Sequence, residues 1–468
     1  MSEPNPVEST RHAGLRTSGY VQYALPVIAS SMLLIPLGTM VPGIYAKFFN
    51  LPLTTLAGLL LLVRVLDSCS DVVIGVWSDQ WRSCGGTRKP FIVVGATALA
   101  LASILIATPV AGYEGIWFTL TALLTLLGWS AFEIPHCAWG FELTPESAQR
   151  SRMFGYRAVA YYLAATLTFV IPLLPFQPSR EMTPQTLLHI GLIGSLVFAV
   201  TLPGLLRLPR GTATTGQPAS TRVSDVLRAI TTCGPLRAFL TAYFLTAFGA
   251  AMFGGTLFIF VDTYLGLASK VALVFALSSP VGIIAAPVWA RVASRIGKKA
   301  TWFISTAGLG LVLLASGFIE PGKDALLGIS MITVILYTLS ASMATVAPAL
   351  LGDIADYGRW KFKQDLGGTY YAAFNLVVKL VASVGAAGGL AVAGAMGVTG
   401  HAASNSHAAT LGMKLALAWL PALFVVGALP FIARLPLTPA RLALIQQRVT
   451  RRSQAGATAK VIILETRA

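Results

Sequence analysis

The sequence predicts an all-α polytopic membrane protein, with twelve transmembrane helices in two six-helix bundles. Three observations predict it. Of the 468 residues, 55% are hydrophobic and only 11% are charged, less than half the charge of a soluble globular chain. The apolar residues fall into twelve runs, each close to or above the roughly 20 residues that a spanning helix needs. The basic residues crowd into alternate connections between those runs, as topology signals do. The formal net charge of +16 would suggest nucleic acid for a soluble chain. Here it sits on short punctuation between apolar runs, so the expected surroundings are a lipid bilayer, with no nucleic-acid partner.

Taken in order, residues 1–19 are polar and form a cytoplasmic tail. The first run, Tyr20 to Phe49, is too long for the apolar stretch of a cleaved signal peptide and reads as a retained span. Leu53 to Asp79, Phe91 to Ala111, Gly115 to Phe141, Met153 to Pro175 and Gln185 to Leu208 complete a first bundle over 20–208. Residues 209–234, rich in Ser, Thr and Gly, read as a cytoplasmic linker. Pro235 to Gly266, Val271 to Val292, Thr301 to Ile319, Ala325 to Gly352, Gly367 to Gly397 and Leu411 to Leu435 make a second bundle over 235–435. A basic tail, 436–468, is expected to be solvated and to rest on anionic lipid, with a regulatory docking segment as the alternative.

The loops on one side of this arrangement, together with both termini, hold 25 of the 34 Lys and Arg residues, and the opposite loops hold 5. Both termini are therefore expected in the cytoplasm, with the chain in the inner membrane. The loop after the second span, GVWSDQWRSCGGTRKPF, and that after the eighth, PVWARVASRIGKKAT, both begin with Val-Trp and end in a basic cluster. This is the mark of an internal repeat of six spans. Cys69, Cys84, Cys137 and Cys233 have no paired spacing, so neither a disulfide framework nor a zinc site is indicated. No phosphate-binding glycine loop or nucleophile elbow occurs, and no enzyme is expected.

The informative residues are ionisable groups inside spans. Each costs at least ~2.5 kcal/mol at the centre of a membrane helix and needs a cause. Asp67 lies 14 residues in from Leu53, about 21 Å along a helix and so near mid-bilayer. Arg64, Asp67 and Asp71 follow an i, i+3, i+7 spacing and share one face, with Ser70 beside them. Two carboxylates one turn apart in a low dielectric require a proton or a cation, because Arg64 alone cannot neutralise both. A salt-bridge cluster that only holds helices together is the structural alternative. In the fourth span Ser130, Glu133 and either His136 or Cys137 share a face, and Pro135 frees a backbone carbonyl as a further ligand. His136 itself reads as a hydrogen-bonded interior residue in preference to a proton relay. Lys379, in the eleventh span, has no acidic residue in its own helix.

These residues resemble a family. VRVLDSCSDVVIGVWSDQWRSCGGTRKPF is similar to the second span and following loop of the glycoside-pentoside-hexuronide:cation symporters, the melibiose permease group of the major facilitator superfamily. FEIPHCAWGFELT with the downstream GYR, LLGDIADYGRWK and FNLVVK agree with it, in order, across both halves. The resemblance implies that Asp67 and Asp71 carry the coupling cation, Na⁺ or H⁺, with Ser70 and Ser130 as neighbouring oxygen ligands. No other cofactor is implied; Asp67 and Asp71 are the metal ligands if the ion is Na⁺. Substrate contact is expected for Glu133, Arg157, Lys379, Arg64 and Asn375, with Ser31 and Trp139 as further candidates, and the resemblance implies gating roles for Asp79, Arg88, Lys89, Asp353 and Asp356. Sugar carriers of the melibiose type have an aspartate in the first span, where Ser31 stands here, and a fourth-span tryptophan, which falls on Cys137 with Trp139 two residues on.

The inward-facing candidates comprise three cations, Arg64, Arg157 and Lys379, and three carboxylates, Asp67, Asp71 and Glu133. A cavity that turns positive when a cation enters suits an acidic solute such as a hexuronide better than a neutral glycoside. The expected function is a cation-coupled symporter working as a monomer on a small solute by alternating access. A lysolipid carrier of the same fold and a non-transporting membrane sensor are the alternatives.

Overall fold

The computed structural model describes residues 16–144, 147–211, 223–362, 367–400 and 406–436. The elements in chain order are α1 (Thr17–Thr39), α2 (Val41–Phe48), α3 (Leu53–Ser83), α4 (Lys89–Leu105), α5 (Glu114–Leu143), α6 (Ser147–Val170), α7 (Pro184–Leu206), α8 (Val223–Thr232), α9 (Gly234–Ile259), α10 (Val271–Ser278), α11 (Val281–Ile296), α12 (Lys298–Ser316), α13 (Ala325–Phe362), α14 (Gly367–Ala395), α15 (His407–Lys414) and α16 (Leu420–Ala433). Among the described residues there is no strand. Among the same residues, ten helical segments are long and apolar enough to cross a membrane. The two remaining expected spans are also helical. One is the shorter apolar α4, and the other is α3, whose 31 residues include the mid-span charges.

Local sequence explains the ends. Proline stands in the first turn of α4, α7 and α9, where its missing N–H forfeits no helical bond. Thr183 caps α7 by accepting from the Thr186 N–H at 3.2 Å, and Ser406 caps α15 by accepting from Ala409 at 3.2 Å. The first expected span is interrupted: α1, with Pro26 and Pro36 inside it, gives way to α2 around Met40. Pro42, in the first turn of α2, lacks the N–H that would continue α1 across Met40, and this accounts for the break.

The described residues divide into two compact units. One draws on Met1–Ile44 and Leu62–Thr215, the other on Tyr45–Leu61 and Gly216–Ala468. In the first unit α4 and α5 cross at Gly95 and Gly128. A Cβ on Gly95 would lie 2.8 Å from the Gly128 carbonyl oxygen, and one on Gly128 would lie 2.6 Å from the Leu99 nitrogen. Backbones that close require small residues, the usual device where lipid supplies no hydrophobic force between helices. Tyr20, Tyr23, Leu33, Phe132, Trp139 and Phe198 fill the core around that crossing.

The second unit has its own core of Phe239, Trp302, Leu350, Tyr370 and Phe374, into which α8 inserts Val226 and Ala229. Where α9 ends, Phe260–Tyr264 forms a π-helical turn that presents two polar side chains. Asp262 is buried and accepts from Lys47 Nζ at 2.9 Å; the Tyr264 hydroxyl donates to Glu320 at 2.6 Å. Glu320 is also paired with Lys414, the residue that precedes a second π-helical turn, Leu415–Trp419. One irregular turn thus ties α9 to the end of α2, to the loop before α13 and to the start of the last span.

Candidate functional site

Asp67 and Asp71 both lie on α3 and both are buried, at 6% and 7% exposure. One helical turn sets their Cβ atoms about 5–6 Å apart. Ser130 on α5, wholly buried, donates to Asp67 Oδ1 at 3.2 Å. The Ser70 hydroxyl instead donates to the Asp67 backbone carbonyl at 2.7 Å. Of the two expected hydroxyl neighbours, Ser130 thus bonds to a carboxylate oxygen and Ser70 to the backbone. Arg64, one turn before Asp67, is half-buried on the same helix.

One turn beyond Ser130, Glu133 is ion-paired with Arg157 of α6. Arg157 also donates to Nδ1 of His136, and the Cys137 thiol donates to Glu133 at 3.3 Å. The guanidinium lies over the rings of Tyr23 and Phe154, at 5.9 and 5.8 Å from their centroids. The structure thus brings Asp67, Ser130, Glu133 and Arg157 into one continuous strip along α5. Ser31 is buried in α1 of the same unit. Trp139 lies farther along α5, where its indole N–H donates to the Pro209 carbonyl at 3.2 Å and Lys89 Nζ sits 5.3 Å above its ring. That ties it to the basic end of the unit and away from the Asp67 carboxylate. Asn375 and Lys379, one turn apart on α14, belong to the second unit; Lys379 is half-buried and Asn375 exposed.

The expected gating residues form two matching knots. In the first unit Arg88 pairs with Asp79 at 2.8 Å and with Glu142 at 2.8 Å, and it donates to Ser78 at 2.8 Å. Glu142, 5% exposed, also accepts from Arg82 at 2.9 Å. Lys89 donates to the Leu206 and Leu208 carbonyls at 2.7 and 2.9 Å. In the second unit Lys298 donates to both oxygens of the buried Asp353 at 2.8 Å, and Lys299 donates to the Ala433 and Leu435 carbonyls at 2.7 and 2.8 Å. Asp356 pairs loosely with Arg359 at 3.8 Å.

The basic dipeptides Arg88-Lys89 and Lys298-Lys299 therefore do the same work in each half. The first residue meets an acid six spans from its counterpart, and the second caps the last carbonyls of the sixth or twelfth span. The shared Val-Trp is a weaker signal. Trp77 packs edge-on against Phe91, whereas Trp289 donates to the Thr338 carbonyl at 2.7 Å.

Sequence reasoning did not single out Glu142, Arg82, Tyr23 or the pair Lys47 and Asp262. Glu142 was accessible from the repeat, as the counterpart of Asp353. Tyr23 gives no sequence signal, because it meets His136 across 113 positions.

A family profile described as MFS/sugar transport protein matches residues 22–439. The chain is 23% identical over 350 residues, 73% of its length and 75% of the relative's, to the inner membrane symporter YicJ of Escherichia coli. It is 24% identical over 357 residues, 70% and 73% of the two chains, to the glucuronide carrier protein homolog of the same organism. Its fold is similar to that of a bacterial homologue of the human lysosomal transporter Spinster, with a TM-score of 0.65 at 12% identity, over 90% of this chain and 97% of the other.

Proposed function

This chain belongs to the MFS/sugar transport protein family, and from that premise we propose that Asp67 and Asp71 hold its coupling cation and that its solute is a glycoside or hexuronide. The protein is a multi-pass membrane transporter, not an enzyme, and it moves a small solute by cation-coupled transport. The observation that carries the site assignment is the buried carboxylate pair on α3, with the Ser130 hydroxyl on one of its oxygens.

Two carboxylates about 6 Å apart repel by about 3 kcal/mol at an effective dielectric of about 20. A monovalent cation between them attracts both and more than offsets that repulsion, whether it is Na⁺ or a proton. The filled site is then attractive to solute, and by linkage bound solute must tighten the cation by the same factor. That reciprocity is what couples the two fluxes.

The pair of Glu133 and Arg157 supports the solute class. A carboxylate and a guanidinium side by side offer an acceptor and several donors to neighbouring hydroxyls of a pyranose. A hexuronide carboxylate can take the guanidinium in the bidentate manner that arginine favours, in exchange for Glu133. Arg64 of α3 adds a further donor, and the solute contacts proposed for Lys379 and Asn375 of α14 rest on the family resemblance alone. The relatives' names, a symporter and a glucuronide carrier homolog, agree with this class. The excess of basic residues in alternate loops supports an inner-membrane orientation with both termini in the cytoplasm.

The test is uptake into proteoliposomes of a panel of sugars, uronides and lysolipids, with Na⁺ and pH gradients imposed separately. Accumulation of a glycoside or uronide driven by one of the two gradients is expected. Uptake of lysolipid alone, or solute movement indifferent to both gradients, contradicts the reading. Uncharged sugars outcompeting every anionic analogue would remove the hexuronide.

A further inference from the structure

We infer that His136 is a positioning residue for solute recognition: together with Tyr23 it holds the Arg157 guanidinium in the orientation that faces Glu133. The inference rests on the reading above, in which Arg157 and Glu133 contact the solute.

Every polar atom of His136 that could shuttle a proton is already committed. Arginine has donors only, so the contact with Arg157 makes Nδ1 an acceptor. The ring proton is then on Nε2, which lies 3.1 Å from the Tyr23 carbonyl oxygen and donates to it. The Tyr23 hydroxyl returns the bond, donating to the His136 carbonyl at 2.6 Å. The two rings stack, with centroids 4.1 Å apart and planes 13° from parallel, and Phe132 approaches His136 at 5.1 Å. Both rings are wholly buried. A second proton on the imidazole would set an N–H against the guanidinium, so this is the geometry of a fixed neutral acceptor and not of a relay.

The fit is specific to this chain's small residues. Gly140 lies one turn beyond His136, and a Cβ there would collide with the Tyr23 hydroxyl. Glycine at 140 therefore lets the phenol reach the His136 carbonyl. The clamp in turn addresses the weakness of arginine as a recognition group, its long flexible stem. With one nitrogen held by Nδ1 and the other by Glu133, the guanidinium is set before solute arrives, and binding need not order it. Tyr23 and His136 thus touch Arg157 and act through it.

Two variants separate positioning from simple packing. His136→Phe keeps a flat ring between Tyr23 and Phe132 and deletes both nitrogens; His136→Asn returns an acceptor near the place of Nδ1. Uptake of methyl β-glucoside and methyl β-glucuronide is read as KM and kcat. For the solute carried, KM is expected to rise about tenfold in His136→Phe, the scale of losing a hydrogen bond to a charged group, with kcat little changed. His136→Asn should recover most of the loss. Wild-type KM in His136→Phe, or equal loss in both variants, overturns the inference.

Should His136→Phe fail to fold, Tyr23→Phe removes one hydroxyl from a ring that stays. It is expected to raise KM about threefold, and wild-type KM there overturns the inference as well. A second arm needs no solute. In ¹⁵N spectra of histidine-labelled protein, the signal lost in His136→Asn, one of five histidines, should be that of a neutral ring protonated on Nε2. A proton on Nδ1 overturns the inference. Absence of gradient-driven uptake in the wild type would instead contradict the proposed function, and it leaves this spectroscopic result standing on its own.

Discussion

Substituting Glu142 by Gln should destabilise the protein more than substituting Asp353 by Asn, although the two acids hold corresponding places in the two halves. Glu142 is the buried acid shared by two arginines whose side chains are 16% and 10% exposed, each within 2.9 Å of one carboxylate oxygen, and Arg88 has the exposed Asp79 as its other acid. Charge centres about 4 Å apart interact by about 4 kcal/mol at an effective dielectric of about 20. Breaking such a pair by removing one partner typically costs about 3–5 kcal/mol, because the other charge stays buried. Glutamine keeps the shape and one acceptor oxygen, so the lower half of that range is expected for Glu142→Gln.

Asp353 meets a single lysine whose side chain is 38% exposed. Water can solvate that ammonium when the acid is neutralised, so about 1 kcal/mol is expected for Asp353→Asn. The assay is thermal unfolding of the purified variants in one detergent, followed by tryptophan fluorescence at fixed protein concentration. A midpoint for Glu142→Gln clearly below that of Asp353→Asn is predicted. Equal midpoints, or the reverse order, would refute the reasoning that burial of the partner cations sets the cost.

Three further outcomes are expected. Ser130→Ala removes a hydroxyl that donates to an Asp67 oxygen and should raise the cation concentration for half-maximal uptake about threefold to tenfold, measured as Na⁺ or proton dependence of initial rates. Lys47→Gln strips a cation from Asp262, whose side chain is 4% exposed, and should lower the thermal midpoint. Adding Asp262→Asn should restore part of the loss, since a buried charge is removed with its lysine. Glu320, in the loop before α13, is held below the usual carboxylate range by the hydrogen bond from Lys414 and then by that from Tyr264. A depressed folded pKa means that its contribution to stability is present above the ordinary carboxylate pKa and is lost as pH falls through the depressed value. The midpoint difference between wild type and Glu320→Gln should therefore shrink on acidification, as melting curves over a pH series would show.

Much of the fold was legible because membrane helices write themselves in composition. Long apolar runs and one-sided basic loops follow from lipid alone, with no need for tertiary information. Irregularities were less legible. The π-helical turn at Phe260–Tyr264 depends on local packing and on partners such as Lys47, which lies more than two hundred positions from Asp262.

At the site, the acid pair stood out because charges at mid-span are costly. The partner of Arg157 was harder to read. Glu133 and His136 both lie one turn or less from each other on α5, and only the path of α6 decides that the guanidinium reaches both. His136 as a satisfied interior residue agrees with the structure, and its partners show what satisfies it. The contacts of Trp139 are with Lys89, at the start of α4, and with Pro209, which reaches it only after the chain has folded back through α6 and α7.

Coupling of cation to solute through Asp67 and Asp71 is tested by gradient-driven accumulation by Asp67→Asn and Asp71→Asn in proteoliposomes, beside solute half-saturation with and without cation. In the wild type cation is expected to lower the half-saturation concentration, and either substitution to abolish both this effect and concentrative uptake. Accumulation at the wild-type level by both variants would contradict it.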